Sequence, residues 1–295
     1  MIKPYIQTLA LLAIALLLGA MSRAPKAISP PPRPAKVAVV LGAGASRGFA
    51  HVGVLKILEA HKIPIHMVVG TSVGSLVGCL YAYGYDGYQL QTLALALERD
   101  DLVDLTLPDN GFIKGEKLEN YVNRMVQGAP IETFRIPFHA VAADIQTGNE
   151  TVFGTGNAGM AVRASCSIPG VFQPARISGN TYVDGGLVSP VAVDVARRYG
   201  ADVVLAVDIS ARRNMMTPQG MIDTILQSVD IMHAKISQLQ LPGADVVIKP
   251  QVGHIGSSDF TKRSDAILEG EKAAAAAMPA IEAVLIKFRQ DGRIP

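Results

Sequence analysis

The sequence predicts an α/β fold: a mainly parallel central sheet flanked by helices on both faces. Three observations carry this. From Val37 onward, short apolar runs bounded by glycine or aspartate alternate with runs of helical period, as strands buried on both faces and joined by crossover helices do. The composition suits a large core, since 49% of the 295 residues are hydrophobic and 18% charged, a balance that excludes a disordered chain. No linker-like stretch interrupts residues 37–295, which are read as one domain.

Ahead of that domain, Lys3 precedes a wholly apolar stretch, Leu9–Leu18. It is short for a span of about 20 residues and suits a secretory signal, with the small residues Ala20 and Ser22 placed for cleavage. Residues 1–22 are therefore expected to be a signal peptide or an N-terminal membrane anchor. Residues 23–36 are expected to be a proline-rich linker, too extended to pack a core. The folded part is expected outside the cytoplasm, periplasmic or secreted. The formal net charge of +2 offers no field for nucleic acid. Cys79 and Cys166 lack metal-type spacing and read as buried thiols, with a single disulfide as the alternative.

The elements follow in order. Val37–Leu41 ends at Gly42, as a buried parallel strand does. Phe49–Ala60 follows as a helix, with Val52, Leu55, Ile57 and Leu58 on its apolar face. His66–Gly70 reads as the second strand and Val73–Tyr83 as the helix after it. Lys114–Val126 has an amphipathic helical period, and the stretches between Gly87 and Val126 are candidates for a substrate lid. Phe138–Ala143 and Glu150–Phe153 flank Thr147-Gly148-Asn149 and read as two strands about a tight turn. Tyr182 and Val183 lead into Asp184. Val191–Tyr199 reads as helix, Val203–Val207 as a buried strand, Met221–Leu239 as a long helix and Val246–Lys249 as the last strand. An alanine-rich helix, Ser264–Phe288, closes the chain, with a break expected at Pro279.

Gly70-Thr71-Ser72-Val73-Gly74 matches G-x-S-x-G between an apolar strand and a helical run. A serine on so sharp a turn has strained backbone, and Gly70 and Gly74 remove side chains that would clash, leaving Oγ exposed. The N-terminus of the following helix favours developing negative charge. Ser72 is the candidate nucleophile; the alternative is an innocent serine in a glycine-rich turn.

Gly42–Gly48 (GAGASRG) lies between the first strand and the first helix. Its small residues let backbone N–H groups converge on an anion. The Rossmann spacing fails by one residue, because three residues separate Gly44 from Gly48, and neither the expected acidic residue nor a Walker lysine follows. With an elbow serine on the next strand, an oxyanion hole is the better reading, and a nucleotide- or anion-binding module without hydrolase activity the alternative. Arg47 would stabilise this loop or bind a lipid phosphate of the substrate; otherwise it is a solvated charge near a helix start.

A serine nucleophile needs a proton acceptor. Of the six histidines, His254 in the glycine-flanked VGHIG is the candidate for a Ser-His-Asp esterase, whereas His233 falls within an amphipathic helix. The competing base is Asp184, in Val183-Asp184-Gly185-Gly186, where Gly185 and Gly186 permit close backbone approach. An aspartate near its ordinary pKa of about 3.9 is a weak base for a hydroxyl. It would need burial, or an anion-binding loop that stabilises the product of attack. Asp144 and Asp208 also end strands and are read as structural. On the residues alone both bases stay open.

Taken together, GAGASRG at 42–48, GTSVG at 70–74 and DGG at 184–186 resemble the patatin-like phospholipase family. GFAHVGVLKIL at 48–58, ASCSIPGVFQP at 164–174 and GLVSPVAV at 186–193 extend the likeness over most of residues 37–210. ADVVIKP at 244–250 and AILEGEKAAAAAMP at 266–279 are similar to its bacterial, neuropathy-target-esterase-like branch. The resemblance implies a three-layer α/β/α fold and a Ser–Asp dyad of Ser72 and Asp184 without a catalytic histidine. It implies an oxyanion hole around Gly44, Ala45 and Ser46, no metal or other cofactor, and hydrolysis of fatty-acyl esters of membrane lipids at a membrane surface. His51 then becomes a packing or helix-start residue. Two departures stand out: Ala43 and Ala45 occupy positions where the family often has glycine, and Ser189 a position where it often has asparagine.

Overall fold

The structure, a computed structural model, describes residues 33–107, 110–210, 218 and 220–294. The expected signal or anchor and nearly all of the linker lie outside these residues. Among the described residues no helix is long and apolar enough to cross a membrane.

Eight strands make one sheet: β1 (Val37–Leu41), β2 (Met67–Thr71), β3 (Phe138–Asp144), β4 (Glu150–Phe153), β5 (Ala175–Ile177), β6 (Asn180–Asp184), β7 (Val203–Val207) and β8 (Val246–Ile248). Their order is β5-β6-β3-β2-β1-β7-β8, with β4 also on β3. β3, β2, β1, β7 and β8 run parallel; β4, β5 and β6 pair antiparallel. The helices are α1 (Phe49–Ala60), α2 (Val73–Tyr83), α3 (Gly87–Ala96), α4 (Arg99–Leu102), α5 (Glu116–Met125), α6 (Ala158–Ser165), α7 (Val193–Arg198), α8 (Met221–Gln240) and α9 (Arg263–Gln290).

β1 shows why its sequence is apolar throughout. Val37, Val39 and Leu41 belong to the same core cluster as Val54, Leu55 and Leu58 of α1 and Ile281 and Leu285 of α9. Ala38 and Val40 belong to another, with Val193, Val195 and Ala196 of α7. Successive side chains of a strand point to opposite faces, and here both faces are covered.

The closing helix differs from the expected broken one: α9 runs through Pro279 without interruption. Pro279 and Ala275, whose carbonyl loses its helical donor, are both exposed, so water can satisfy that carbonyl. Ala274, Met278, Ile281 and Leu285 hold the other side of the helix in the core.

The sheet's middle places the site. At Val141 of β3 one edge takes Val152 of β4 and the other Thr71 of β2; at Ala142 they take Thr151 of β4 and Asp184 of β6. β2 and β6 therefore share one edge of β3 and approach each other end to end. Ser72 leaves the tip of β2 where Asp184 closes β6.

Candidate active site

Ser72 sits between β2 and α2 with φ 55° and ψ −128°, left-handed backbone that costs a non-glycine residue about 1 kcal/mol or more. Glycine flanks it because the chain is crowded. A methyl at Gly70 would stand 2.4 Å from the Gly74 carbonyl oxygen, and one at Gly74 2.1 Å from that of Leu41. The strained turn is held from below: the Ser72 N–H donates to Ser165 Oγ at 2.8 Å, whose hydroxyl donates to the Val141 carbonyl at 2.6 Å. Ser165, on α6, carried no signal beyond its place in the ASCSIPGVFQP stretch.

Ser72 Oγ donates to Asp184 Oδ2 at 2.5 Å. Asp184 is 1% exposed, and its Oδ1 accepts from the Gly186 N–H at 2.7 Å. Burial pushes its pKa up to about 7, against the smaller lowering effect of the Ser72 and Gly186 hydrogen bonds. Burial thus raises the proton affinity of this carboxyl above that of an ordinary aspartate. Both glycines after Asp184 stand where a side chain has no room. A methyl at Gly185 would lie 2.1 Å from the Val141 carbonyl oxygen, and one at Gly186 2.1 Å from His233 Nε2. His254 is exposed, and the serine's bond goes to the Asp184 carboxylate, an arrangement that favours Asp184 over the histidine alternative.

The glycine loop meets two further corrections. Ser46 does not offer a free amide, because its N–H donates to the Ser257 carbonyl at 3.2 Å. The amides of Gly44 and Ala45 have no acceptor among the described residues. Arg47 is neither solvated nor open to a substrate phosphate. It is 1% exposed, and its guanidinium grips Asp230 of α8 through both terminal nitrogens, at 2.5 and 3.1 Å, with Ser257 Oγ at 3.2 Å. It stabilises the loop, as one reading of the sequence held. His51 pins the loop's start: burial lowers its pKa to about 4, so the neutral ring donates from Nε2 to the Gly42 carbonyl at 2.8 Å.

A cavity of about 220 Å³ opens at Ser72 and Ala45, walled chiefly by aliphatic side chains. Leu90 of α3, Leu102 of α4 and Leu118 of α5 line it, so the stretch considered as a lid forms a wall of the cavity. Cys166 lines it as well, and both cysteines are free and buried. Ser189 takes up its own hydrogen bonds in the position of the family's frequent asparagine: it donates to Glu150 and accepts from Gln240.

A family model described as patatin-like phospholipase matches residues 39–197. The chain is 32% identical, over 77% of its length, to Lysophospholipase NTE1 of Coccidioides immitis (strain RS), covering 15% of that protein. It is 32% identical, over 60% of its length, to Patatin-like phospholipase domain-containing protein 6 of Homo sapiens, covering 13%. The chain thus spans only a small part of the curated relatives it matches. Among solved structures, VipD from Legionella pneumophila shares the fold, with a TM-score of 0.59 at 12% identity over 85% of this chain and 67% of that one. The matched span holds the glycine loop, the elbow serine and the DGG turn, and the chain belongs to the patatin-like phospholipase family, in its neuropathy-target-esterase-like branch.

Proposed function

We propose that this protein is a serine acyl hydrolase that cleaves fatty-acyl esters of phospholipids, with Ser72 as nucleophile and Asp184 as base. The observation that carries the reading is the hydrogen bond from Ser72 Oγ to a buried carboxylate at the mouth of an apolar cavity. In the first half-reaction Ser72 Oγ bonds to the ester carbonyl carbon while its proton passes to Asp184 Oδ2. The amides of Gly44 and Ala45 face the developing oxyanion. The tetrahedral species collapses, the ester's C–O bond breaks, and the departing alcohol takes the proton from Asp184. Water then attacks the acyl-serine, giving one proton to Asp184, which returns it to Ser72 as the fatty acid leaves.

The cavity takes the acyl chain, whose burial contributes about 0.8 kcal/mol per methylene. The membrane face is the side that bears Leu105 and Leu107, 75% and 87% exposed. Leu105 is bridged to Ile113, a cavity residue. The apolar N-terminal stretch supports an extracytoplasmic site of action.

Labelling with a fluorophosphonate probe and fatty-acid release from phospholipid and lysophospholipid vesicles test the reading. Wild type should label and release acid, and Ser72→Ala should do neither. For soluble acyl esters of increasing length, kcat/KM should rise about threefold to fourfold per methylene until the cavity is full. Failure of the wild type to label, or full labelling of Ser72→Ala, overturns it.

A further inference from the structure

α8 buries an unusual stripe. Asp230, His233 and Ser237 all face inward, with exposures of 6%, 4% and 1%. Asp230 has its partner in Arg47. Among the described residues neither ring nitrogen of His233 has one, nor does Ser237 Oγ. A buried polar group without a hydrogen bond is costly, and an apolar residue would pack there without that cost.

The position of the ring suggests what offsets it. A methyl on Gly186 would meet His233 Nε2 at 2.1 Å and Asp184 Oδ1 at 3.0 Å. Imidazole and carboxylate therefore flank one small gap, and the missing side chain of Gly186 is what lets α8 approach the base. Ser72 holds the carboxylate's other oxygen, Oδ2.

We propose that His233 is a positioning residue for Asp184: it carries its proton on Nε2, directs that N–H dipole at the Asp184–Gly186 turn, and keeps the carboxylate aligned on Ser72. The inference rests on the Ser72–Asp184 reading above. Burial lowers the His233 pKa to about 4, with Asp230 raising it and Arg47 lowering it by smaller amounts. The ring is therefore neutral across the working range and has a single N–H to place. The groups around it are the Asp184 carboxyl on the DGG turn, the Arg47 guanidinium from the glycine loop and Asp230 on its own helix, with the Cys166 thiol near Asp184. Asp184 Oδ1 and His233 Nε2 both border the place of the missing Gly186 side chain, and a carboxylate near one ring nitrogen favours the hydrogen there.

The test is the pH profile of kcat/KM for a soluble acyl ester, normalised to fluorophosphonate-titrated sites. His233→Phe keeps a ring and removes both nitrogens. Its acidic limb should move up by about 0.5–1 pH unit, with a loss of about twofold to fivefold at pH 7, because the Asp184 anion loses a nearby dipole. His233→Gln restores an N–H and should bring the limb back toward wild type. A His233→Phe limb that overlays wild type overturns the proposal. A fold-independent check is the tautomer in the wild type, read by ¹⁵N-histidine NMR: Nε2–H is expected, and Nδ1–H would overturn it. If Asp184→Asn keeps wild-type turnover, the dyad itself fails; if Asp184→Asn is inactive while His233→Phe overlays wild type, only the role of His233 fails.

Discussion

Asp184 and Asp230 are both buried carboxylates tied to a residue of the site, and they are held in opposite ways. Asp230 meets a full positive charge, the Arg47 guanidinium, in a two-point grip. Among the described residues Asp184 meets only neutral donors, the Ser72 hydroxyl and the Gly186 amide. A buried carboxylate gripped by a guanidinium holds two segments together. One facing neutral dipoles has its desolvation incompletely offset, so it gains affinity for a proton. The first arrangement anchors the glycine loop to α8; the second suits the base proposed above. Neighbouring charge, more than residue type, separates a strut from a reactive group.

The largest effect is expected from removing the proposed base. Asp184→Asn keeps the shape and removes the proton acceptor, so kcat should fall by about 10³-fold or more. The same variant tests the stability side. Asp184 has its folded pKa raised to about 7, above the value of about 3.9 in the unfolded chain. The folded state therefore binds the extra proton between those values. The stability this contributes is complete below about pH 4 and is lost as pH rises through about 7. Thermal unfolding should show the wild-type midpoint falling from pH 5 to pH 8 and the Asp184→Asn midpoint falling less. Parallel curves for the two proteins would mean that Asp184 is not held neutral by its surroundings. In the wild type, activity should run the other way, rising through about pH 7 as the base ionises.

The same division separates what was legible in the sequence from what was not. β1, α1, β2 and α2 could be read directly, because a buried parallel strand and the helix that follows leave a local signature. The elbow and the DGG turn could be read because close approach leaves glycine behind: Gly74 lies against the Leu41 carbonyl and Gly185 against that of Val141. The helices α3, α4 and α6 and the strand β5 were missed. α4 and β5 are only 4 and 3 residues long, too short for periodicity to declare itself. Asp230, Ser257, Ser165 and His233 were invisible for another reason. Their roles depend on contacts between remote segments, Arg47 and Asp230 being 183 positions apart. In a helical pattern Asp230 reads as a solvated charge and His233 as an ordinary inward residue. Pro279 misled in the opposite direction, since its local rule yielded to the packing of α9.

The next effect in size tests the strut. Asp230→Asn leaves the Arg47 guanidinium buried beside a neutral amide, which should cost about 3–5 kcal/mol of stability in denaturant unfolding. The double variant Arg47→Met/Asp230→Leu removes both charges and should recover most of that loss, because a well-packed apolar pair replaces a buried ion pair at little cost. Its activity is the sharper reading. If the pair serves only to hold the loop, the double variant should keep fluorophosphonate labelling of Ser72 within about tenfold of wild type. If labelling collapses while stability recovers, Arg47 contributes to the field at Ser72, and the contrast between strut and base no longer holds.

The smallest effect concerns Ala45, the departure from the family's glycine-rich loop. Ala45 has φ 50°, a conformation that costs alanine about 1 kcal/mol and glycine almost nothing. Glycine gives back a similar amount through the greater freedom of the unfolded chain. Ala45→Gly should therefore change stability by no more than about 0.5 kcal/mol. Turnover should stay within about twofold, because an oxyanion donor here is the backbone N–H, which the substitution leaves in place. Yet Ala45 also lines the cavity, and its methyl group is the one part of the residue that could select a substrate. If Ala45→Gly instead raises KM severalfold for long acyl esters while sparing short ones, that methyl belongs to the acyl-chain wall. A uniform fall in kcat across the series would locate the effect in the N–H, through loss of the left-handed backbone that aims it.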